Sequence, residues 1–592
     1  MTDPRDAAGA LDDFVQSAPC LDDQWESDRV LRSYLRRVLP TEMLREITPQ
    51  LARLGARAAG DGDILALGEA AEARPPRHVP YDAWGRRVDI IETADAWRAL
   101  DRISAEEGLV AIAYERAHGA LSRVHQMAAL HLFSPSSATY SCPLAMTDGA
   151  ARCLELYAGD DPRLRAALAH LVSRDPRDFW TSGQWMTERA GGSDVSRTAT
   201  IARPDGEAYR LYGSKWFTSA TTSQMAMTLA RVEGAPPGSR GLSLFQLELR
   251  DASGALNGIR VEQLKDKLGT RALPTAELTL DGARAVLVGG AGHGVRKIAA
   301  LFNITRIQNA CAAVAGMRRA VALARDYARR RVAFGRPIAD HAAHVSTLAA
   351  MQVEAEGAFH LAFRVVELLG RAECGLASER EGALLRLLTP VVKLYTARQA
   401  VRVASEALEA FGGAGYIEST GLPRLLRDAQ VLSIWEGTTN VLALDLLRAI
   451  DGGSDPDVVQ REVAERLAGV SAVRLAPAVA RVRAAVERTT RAAHEGGAPE
   501  ARETRARSLA FAVARCCIGA LLLEHAQWSL EHESDRRASI AAMAWCAREM
   551  GPREPAPTEP ADARVLALDE AALPPGIGGA EGWVVELGST HL

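Results

Sequence analysis

The 592-residue chain reads as an α+β protein dominated by helix, in the order helical domain, small antiparallel β domain, helical bundle and helical appendage. Three observations carry that reading. Apolar residues recur at helical spacing through residues 1–185, as in Asp95–Ala113 and Arg163–Val172. Between residues 186 and 290, short β-rich runs alternate with turn signals. After Gly294 the helical period returns in long segments. Length agrees, because ~150 residues per domain predicts about four units. With 47% hydrophobic and 24% charged residues, the composition is that of an ordinary globular protein.

Taken in order, Pro75-Pro76 and Pro80 divide the first region, 1–185, into two helical pieces. In the second, 186–290, the expected strands are Ala208–Tyr212, Met225–Val232, Leu242–Leu249 and Ala276–Leu280. They are bounded by Asp205-Gly206, Pro236-Pro237-Gly238 and Asp281-Gly282. The stretch Ala285–Gly294 runs from apolar residues into glycines and imitates a dinucleotide-binding turn. That site needs a second parallel strand and an acid about twenty residues on. One helix follows instead, so the stretch reads as a strand-to-helix turn. The third region, 291–450, holds periodic segments over Val295–Arg330, His341–Gly370, Glu381–Phe411 and Thr438–Ile450, an antiparallel bundle. Gly452–Pro456 marks a boundary, 451–550 forms an additional helical domain, and 551–592 is a Pro-rich tail.

Charge and motifs exclude several classes. Seventy basic against seventy-four acidic residues give a net charge of −4, which provides no global field toward nucleic acid or anionic membrane. Only five basic residues are lysines: Lys215, Lys265, Lys267, Lys297 and Lys393. The eight cysteines are scattered without a CxxC pair and read as reduced core thiols of a cytoplasmic protein. Met1–Ala10 lacks the apolar run of a secretory signal, and Arg515 interrupts Ser508–Leu523, so no membrane span is expected. HExxH, GxSxG and GxxxxGK are absent. Asp340, His341 and His344 have no third cluster nearby and read as surface residues, so no metal site is expected.

Two segments at the start of the β domain point to chemistry. Met186-Thr187-Glu188-Arg189-Ala190-Gly191-Gly192-Ser193-Asp194-Val195 is a hydroxyl-bearing loop whose glycines admit a ligand close to the backbone. Gly213-Ser214-Lys215-Trp216-Phe217-Thr218-Ser219 sets one indole beside hydroxyls. Together they suit a flat, hydrogen-bonding heterocycle.

These segments resemble the flavin-contacting loops of the acyl-CoA dehydrogenase family, and further matches follow in order. They are Lys267-Leu268-Gly269-Thr270-Arg271 with Thr275, Phe302-Asn303-Ile304-Thr305-Arg306, Arg331-Val332-Ala333-Phe334-Gly335, Phe411-Gly412-Gly413-Ala414-Gly415-Tyr416 and Ser433-Ile434-Trp435-Glu436-Gly437-Thr438-Thr439-Asn440. The resemblance implies the family fold, with FAD as cofactor. It places Met186, Thr187 and Ser193 at the flavin or its pyrophosphate, Trp216 on the isoalloxazine ring and Thr218 near N5. Arg331 and Phe334 would hold the adenine-side half, closed over by Gly412-Gly413 of a neighbouring subunit with Thr438 and Asn440. A shared cofactor site implies a homo-oligomer, a tetramer built as a dimer of dimers. Glu436 is then the base that removes the α-proton of an acyl thioester while the β-hydride passes to flavin N5, giving the α,β-enoyl thioester. Some members carry the base at the position of Thr305, which cannot serve here. Arg306 is expected at the substrate, carried on CoA or a carrier protein, and electron-transfer flavoprotein is one implied acceptor.

Within the family, Arg74–Asp89, Ser141–Thr147, the Gly191-Gly192-Ser193-Asp194-Val195 loop and the C-terminal extension resemble the AidB-like, alkylation-response branch. Some members of that branch associate with DNA. Arg481, Arg483, Arg488, Arg491, Arg502, Arg505 and Arg507 are clustered, so a phosphate-binding face is the alternative reading. Flavin-dependent oxidase or monooxygenase chemistry on the same fold is a third.

Overall fold

The computed structural model describes residues 17–251 and 253–547; the chain start through residue 16 and the Pro-rich tail, 551–592, lie outside them. The first region comprises helices α1 (Arg29–Val38), α2 (Thr41–Arg57) and α3 (Asp63–Ala73), strands β1 (Arg77–Tyr81) and β2 (Arg87–Glu92), then α4 (Asp95–Glu106), α5 (Ala111–Glu115), α6 (Ser122–Phe133), α7 (Ser141–Tyr157) and α8 (Pro162–Leu171). Every residue of α6 is buried, so this helix forms the centre of the region and exposes none of its faces.

The β1–β2 hairpin departs from the all-helical expectation for this region. Pro80 lies inside β1 and does not simply break the region into two helical pieces. Asp82 closes the turn by accepting the Trp84 and Arg86 N–H groups, both at 2.9 Å. Arg87 and Asp89 then tie the hairpin to Val261 of the β domain.

Strands β3 (Ser182–Trp185), β4 (Ile201–Asp205), β5 (Ala208–Ser219), β6 (Met225–Val232), β7 (Leu242–Glu248), β8 (Ile259–Leu264) and β9 (Thr275–Val288) form one seven-stranded sheet. Pairings β6–β4–β5–β9–β7–β6 close five strands into a ring. The expectation of a purely antiparallel domain needs correction. Pairs β3–β6 and β4–β6 are parallel. Turn residues report only the hairpins they close, and parallel partners are joined by longer connections. The glycine stretch after β9 is a strand-to-helix turn, with β9 antiparallel to its neighbours.

The bundle contains α9 (Gly294–Arg330), the short strands β10 (Val332–Ala333) and β11 (Arg336–Pro337), α10 (Ala342–Glu373), α11 (Glu379–Ala410), α12 (Pro423–Leu432) and α13 (Thr439–Asp451). A capping box, Ser378 with Glu381, starts α11. Helices α14 (Asp457–Ala468), α15 (Ala476–His494), α16 (Pro499–His532) and α17 (Arg537–Ala547) follow. Helix α16 packs on α1, α10, α11 and α13, and one apolar core runs from Trp25 to Cys546. Helices α9 and α16 are long and apolar enough to cross a bilayer, but 67% and 89% of their most apolar windows are buried in the protein, which makes them core helices. All eight cysteines are free thiols; five are buried, two half-buried, and Cys20 is exposed instead of lying in the core.

Candidate active site

The loop between α12 and α13 carries Glu436. Its backbone is left-handed at two consecutive residues, with φ of +53° at Glu436 and +102° at Gly437. For glutamate this conformation costs about 1–2 kcal/mol, so the surroundings must hold it. Lys393 on α11 donates from Nζ to the Trp435 and Gly437 carbonyls, each at 2.6 Å. Arg306 donates from Nε to the Glu436 carbonyl at 3.3 Å and pairs through Nη1 with Asp445 at 2.8 Å. The Trp435 indole N–H donates to Asn309 on α9.

The Glu436 carboxylate receives Thr305 Oγ1 on Oε2 at 2.8 Å and Gln184 Nε2 on Oε1 at 3.1 Å. Burial holds its pKa above the ordinary carboxylate range, against the opposing pull of Thr305, Arg306, Lys393 and Gln184. A raised pKa makes a carboxylate a stronger base when it is ionised. The carboxylate lies on the wall of a cavity of about 570 Å³. Met127 and Leu130 of α6, Cys142, Ala145 and Met146 of α7, and Phe302 and Ala312 of α9 make much of that wall apolar.

A second part of the wall is the glycine loop with the end of β5: Met186, Thr187, Gly192, Ser193, Trp216, Phe217 and Ser219. Beneath it, Glu188 accepts Lys215 Nζ at 2.8 Å, Ala199 N at 2.7 Å and Thr200 Oγ1 at 2.5 Å. Trp216 N donates to the Thr187 carbonyl at 2.9 Å, clasping loop to strand. A Cβ at Gly192 would stand 2.6 Å from Thr187 Oγ1, so glycine keeps this hydroxyl against the loop. The Trp216 ring takes Lys265 Nζ at 3.5 Å from its centroid and the Arg189 guanidinium at 5.4 Å.

The structure brings Met186, Thr187, Ser193, Trp216, Arg306, Glu436 and Thr438 to one cavity. Thr218 faces elsewhere: it is fully buried and its hydroxyl donates to the Ala276 carbonyl at 2.6 Å, leaving Ser219 to line the wall. Arg331, Phe334, Gly412, Gly413 and Asn440 also lie outside the cavity lining. Phe334 is 96% exposed on the β10–β11 hairpin, and Tyr416 beside the glycine turn is 89% exposed. Of the clustered arginines, Arg481 donates to the Cys546 carbonyl, Arg502 pairs with Asp451 and Arg505 with Glu495. Gln184, Asn309 and Lys393 were not singled out as site residues from the sequence. Only Lys393 leaves a signal there, as a lone cation in Val391-Val392-Lys393-Leu394-Tyr395.

Comparison with known proteins agrees with this architecture. Residues 183–283 match the model for the acyl-CoA dehydrogenase middle domain and 292–450 that for its C-terminal domain. Residues 16–213 match the adaptive response protein AidB N-terminal domain, and 457–570 the acyl-CoA dehydrogenase 11 C-terminal domain-like model. The chain is 44% identical over 547 residues to acyl-CoA dehydrogenase family member 11 of Caenorhabditis elegans, covering 88% of this chain and 87% of that protein. It is 34% identical over 409 residues to the putative acyl-CoA dehydrogenase AidB of Escherichia coli, covering 68% and 74%. The crystal structure of C. elegans ACDH-11 in complex with C11-CoA superposes with a TM-score of 0.89 at 42% identity, covering 94% of this chain and 97% of that one. The chain belongs to the acyl-CoA dehydrogenase family, in its AidB-like branch.

Proposed function

We propose that the protein is an FAD-dependent acyl-CoA dehydrogenase in which Glu436 removes the α-proton of a saturated acyl-CoA. The observation that carries this reading is the Glu436 carboxylate held by Thr305 and Gln184 on a largely apolar cavity wall, in the same cavity as the glycine loop and Trp216. The residues suit a flavin: a flat indole, the Thr187 and Ser193 hydroxyls, and a loop position where a Cβ would crowd Thr187. Bound FAD supplies the two-electron acceptor for the hydride leaving the β-carbon.

The chain's own residues do the rest. Met127, Leu130, Ala145, Met146 and Ala312 offer the acyl tail an apolar surface that excludes water. Arg306 fixes the loop and lines the cavity at the substrate. Glu436, ionised, takes the proton at Oε1 or Oε2, and burial, by raising its pKa, makes the carboxylate a stronger base than an exposed one. The C11-CoA bound by the C. elegans relative supports an acyl chain of that order as substrate. The exposed Phe334 and Tyr416 support a homo-oligomer, a tetramer, in which a neighbouring subunit completes the adenine side. Eight free thiols suit a reducing compartment such as the cytoplasm, and electron-transfer flavoprotein suits the role of acceptor.

The test is anaerobic titration of the yellow protein with straight-chain acyl-CoAs. The expected result is bleaching of the flavin's visible band by wild type and none by Glu436→Gln. If no acyl-CoA bleaches the wild type, the proposal fails.

A further inference from the structure

Lys393 is one of five lysines in the chain and occupies the middle of α11, a helix with apolar residues on either side of it. It is fully buried, as are Val391, Val392 and Tyr395 around it. A buried amine costs desolvation unless it is hydrogen-bonded, and an aliphatic side chain would pack this position without that cost. What the amine does is reach the catalytic loop. Both of its hydrogen bonds go to backbone carbonyls, Trp435 and Gly437, at 2.6 Å each, one on either side of Glu436.

Two carbonyls that flank one residue are thus turned toward a single donor, and the residue between them has the left-handed backbone described above. From that backbone the carboxylate meets Thr305 of α9 and Gln184 of β3. Burial lowers the amine to about 7, with Glu436 opposing and Arg306 adding to that shift. A neutral amine keeps two N–H bonds, enough for two carbonyls, so the contact survives loss of the proton.

We propose that Lys393 is a positioning residue: by tying down the Trp435 and Gly437 carbonyls it fixes the left-handed turn that aims the Glu436 carboxylate into the cavity. The inference rests on Glu436 being the base. It assigns Lys393 no contact with the reacting atoms, and therefore predicts an effect on proton removal without an effect on binding.

The test is Lys393→Met, close in length and unable to donate, studied as the flavin-loaded full chain with undecanoyl-CoA. The expected result is kcat lowered about 10²-fold, the scale of a small misplacement of a reacting group, with KM unchanged and flavin content retained. Incorporation of α-deuterium from deuterium oxide into recovered undecanoyl-CoA, which reads proton removal alone, falls by the same factor. If Lys393→Met does not fold, Lys393→Leu, which likewise cannot donate, is measured in its place. Wild-type kcat and exchange in a folded variant overturn the inference, as does activity that falls only in proportion to lost flavin. Should wild type itself neither turn over nor exchange any acyl-CoA, the dehydrogenase reading fails first. The crystal structure of the variant then decides the Lys393 contact: Glu436 leaving the left-handed region supports it, and Glu436 staying there overturns it.

Discussion

Thr305→Val removes one donor from Glu436 and keeps the side chain's shape. The wild-type hydroxyl has one proton and three oxygens in reach: Glu436 Oε2 at 2.8 Å, the Phe302 carbonyl at 3.1 Å and the Leu301 carbonyl at 3.2 Å. The ionised carboxylate is both the nearest and the strongest acceptor. Once Glu436 is protonated, the hydroxyl can return to a helix carbonyl. The bond therefore favours the ionised form alone. A hydrogen bond to a charged group contributes about 1.5–3 kcal/mol, and one pKa unit corresponds to about 1.4 kcal/mol. Losing it raises the Glu436 pKa by ~1–2 units beyond the elevation that burial already causes.

The sign follows from the role. A base acts when ionised, so kcat/KM rises with pH through the Glu436 pKa, and the acid limb of the variant lies ~1–2 units above that of wild type. The assay is the rate of flavin bleaching by limiting acyl-CoA over a pH series, mixed anaerobically. Below the limb the variant is ~10–100-fold slower, and well above it the rates converge. Thr305→Ser, which restores the hydroxyl, keeps the wild-type limb. A limb that stays in place or moves to lower pH refutes the reasoning, and so does a uniform loss of rate at every pH.

Three further outcomes are expected. The folded-state pKa of Glu436 lies above its unfolded value, so the linked stability is present below the ordinary carboxylate range and lost as pH rises through the raised value. By calorimetry, Glu436→Gln should therefore melt higher than wild type at neutral pH and together with it in acid; the reverse order would contradict the buried, ionised carboxylate. Lys215→Met leaves Glu188 buried beside the glycine loop without its cation, at a cost of about 3–5 kcal/mol. Urea unfolding should show that loss together with reduced flavin retention, and an unshifted midpoint would count against it. Phe334→Asp places a charge on an exposed apolar hairpin. Light scattering should find a smaller species that sheds flavin, whereas an intact, fully loaded oligomer would mean that Phe334 does not face a neighbouring subunit.

The extent to which this architecture was legible depends on the range of each interaction. Helices α9, α10, α11 and α13 begin and end within a few residues of where their apolar period does, because amphipathic periodicity is a local property. The β1–β2 hairpin was hidden because Pro80 is tolerated in a two-stranded ribbon whose outer edge needs no N–H from it. Parallel pairing of β3 and β4 with β6 was hidden because only hairpins leave turn residues behind. Glu436 was visible through the motif around it, and Thr187, Ser193 and Trp216 through theirs. What sets the carboxylate's geometry was not, because Gln184, Thr305 and Lys393 reach the loop from 252, 131 and 42 residues away. A left-handed glutamate is locally unfavourable, so sequence propensity argues against the conformation that the site adopts. Packing among β3, α9 and α11 supplies Gln184, Thr305, Arg306 and Lys393 as the donors that hold it, which is why the motif points to Glu436 and the fold explains its aim.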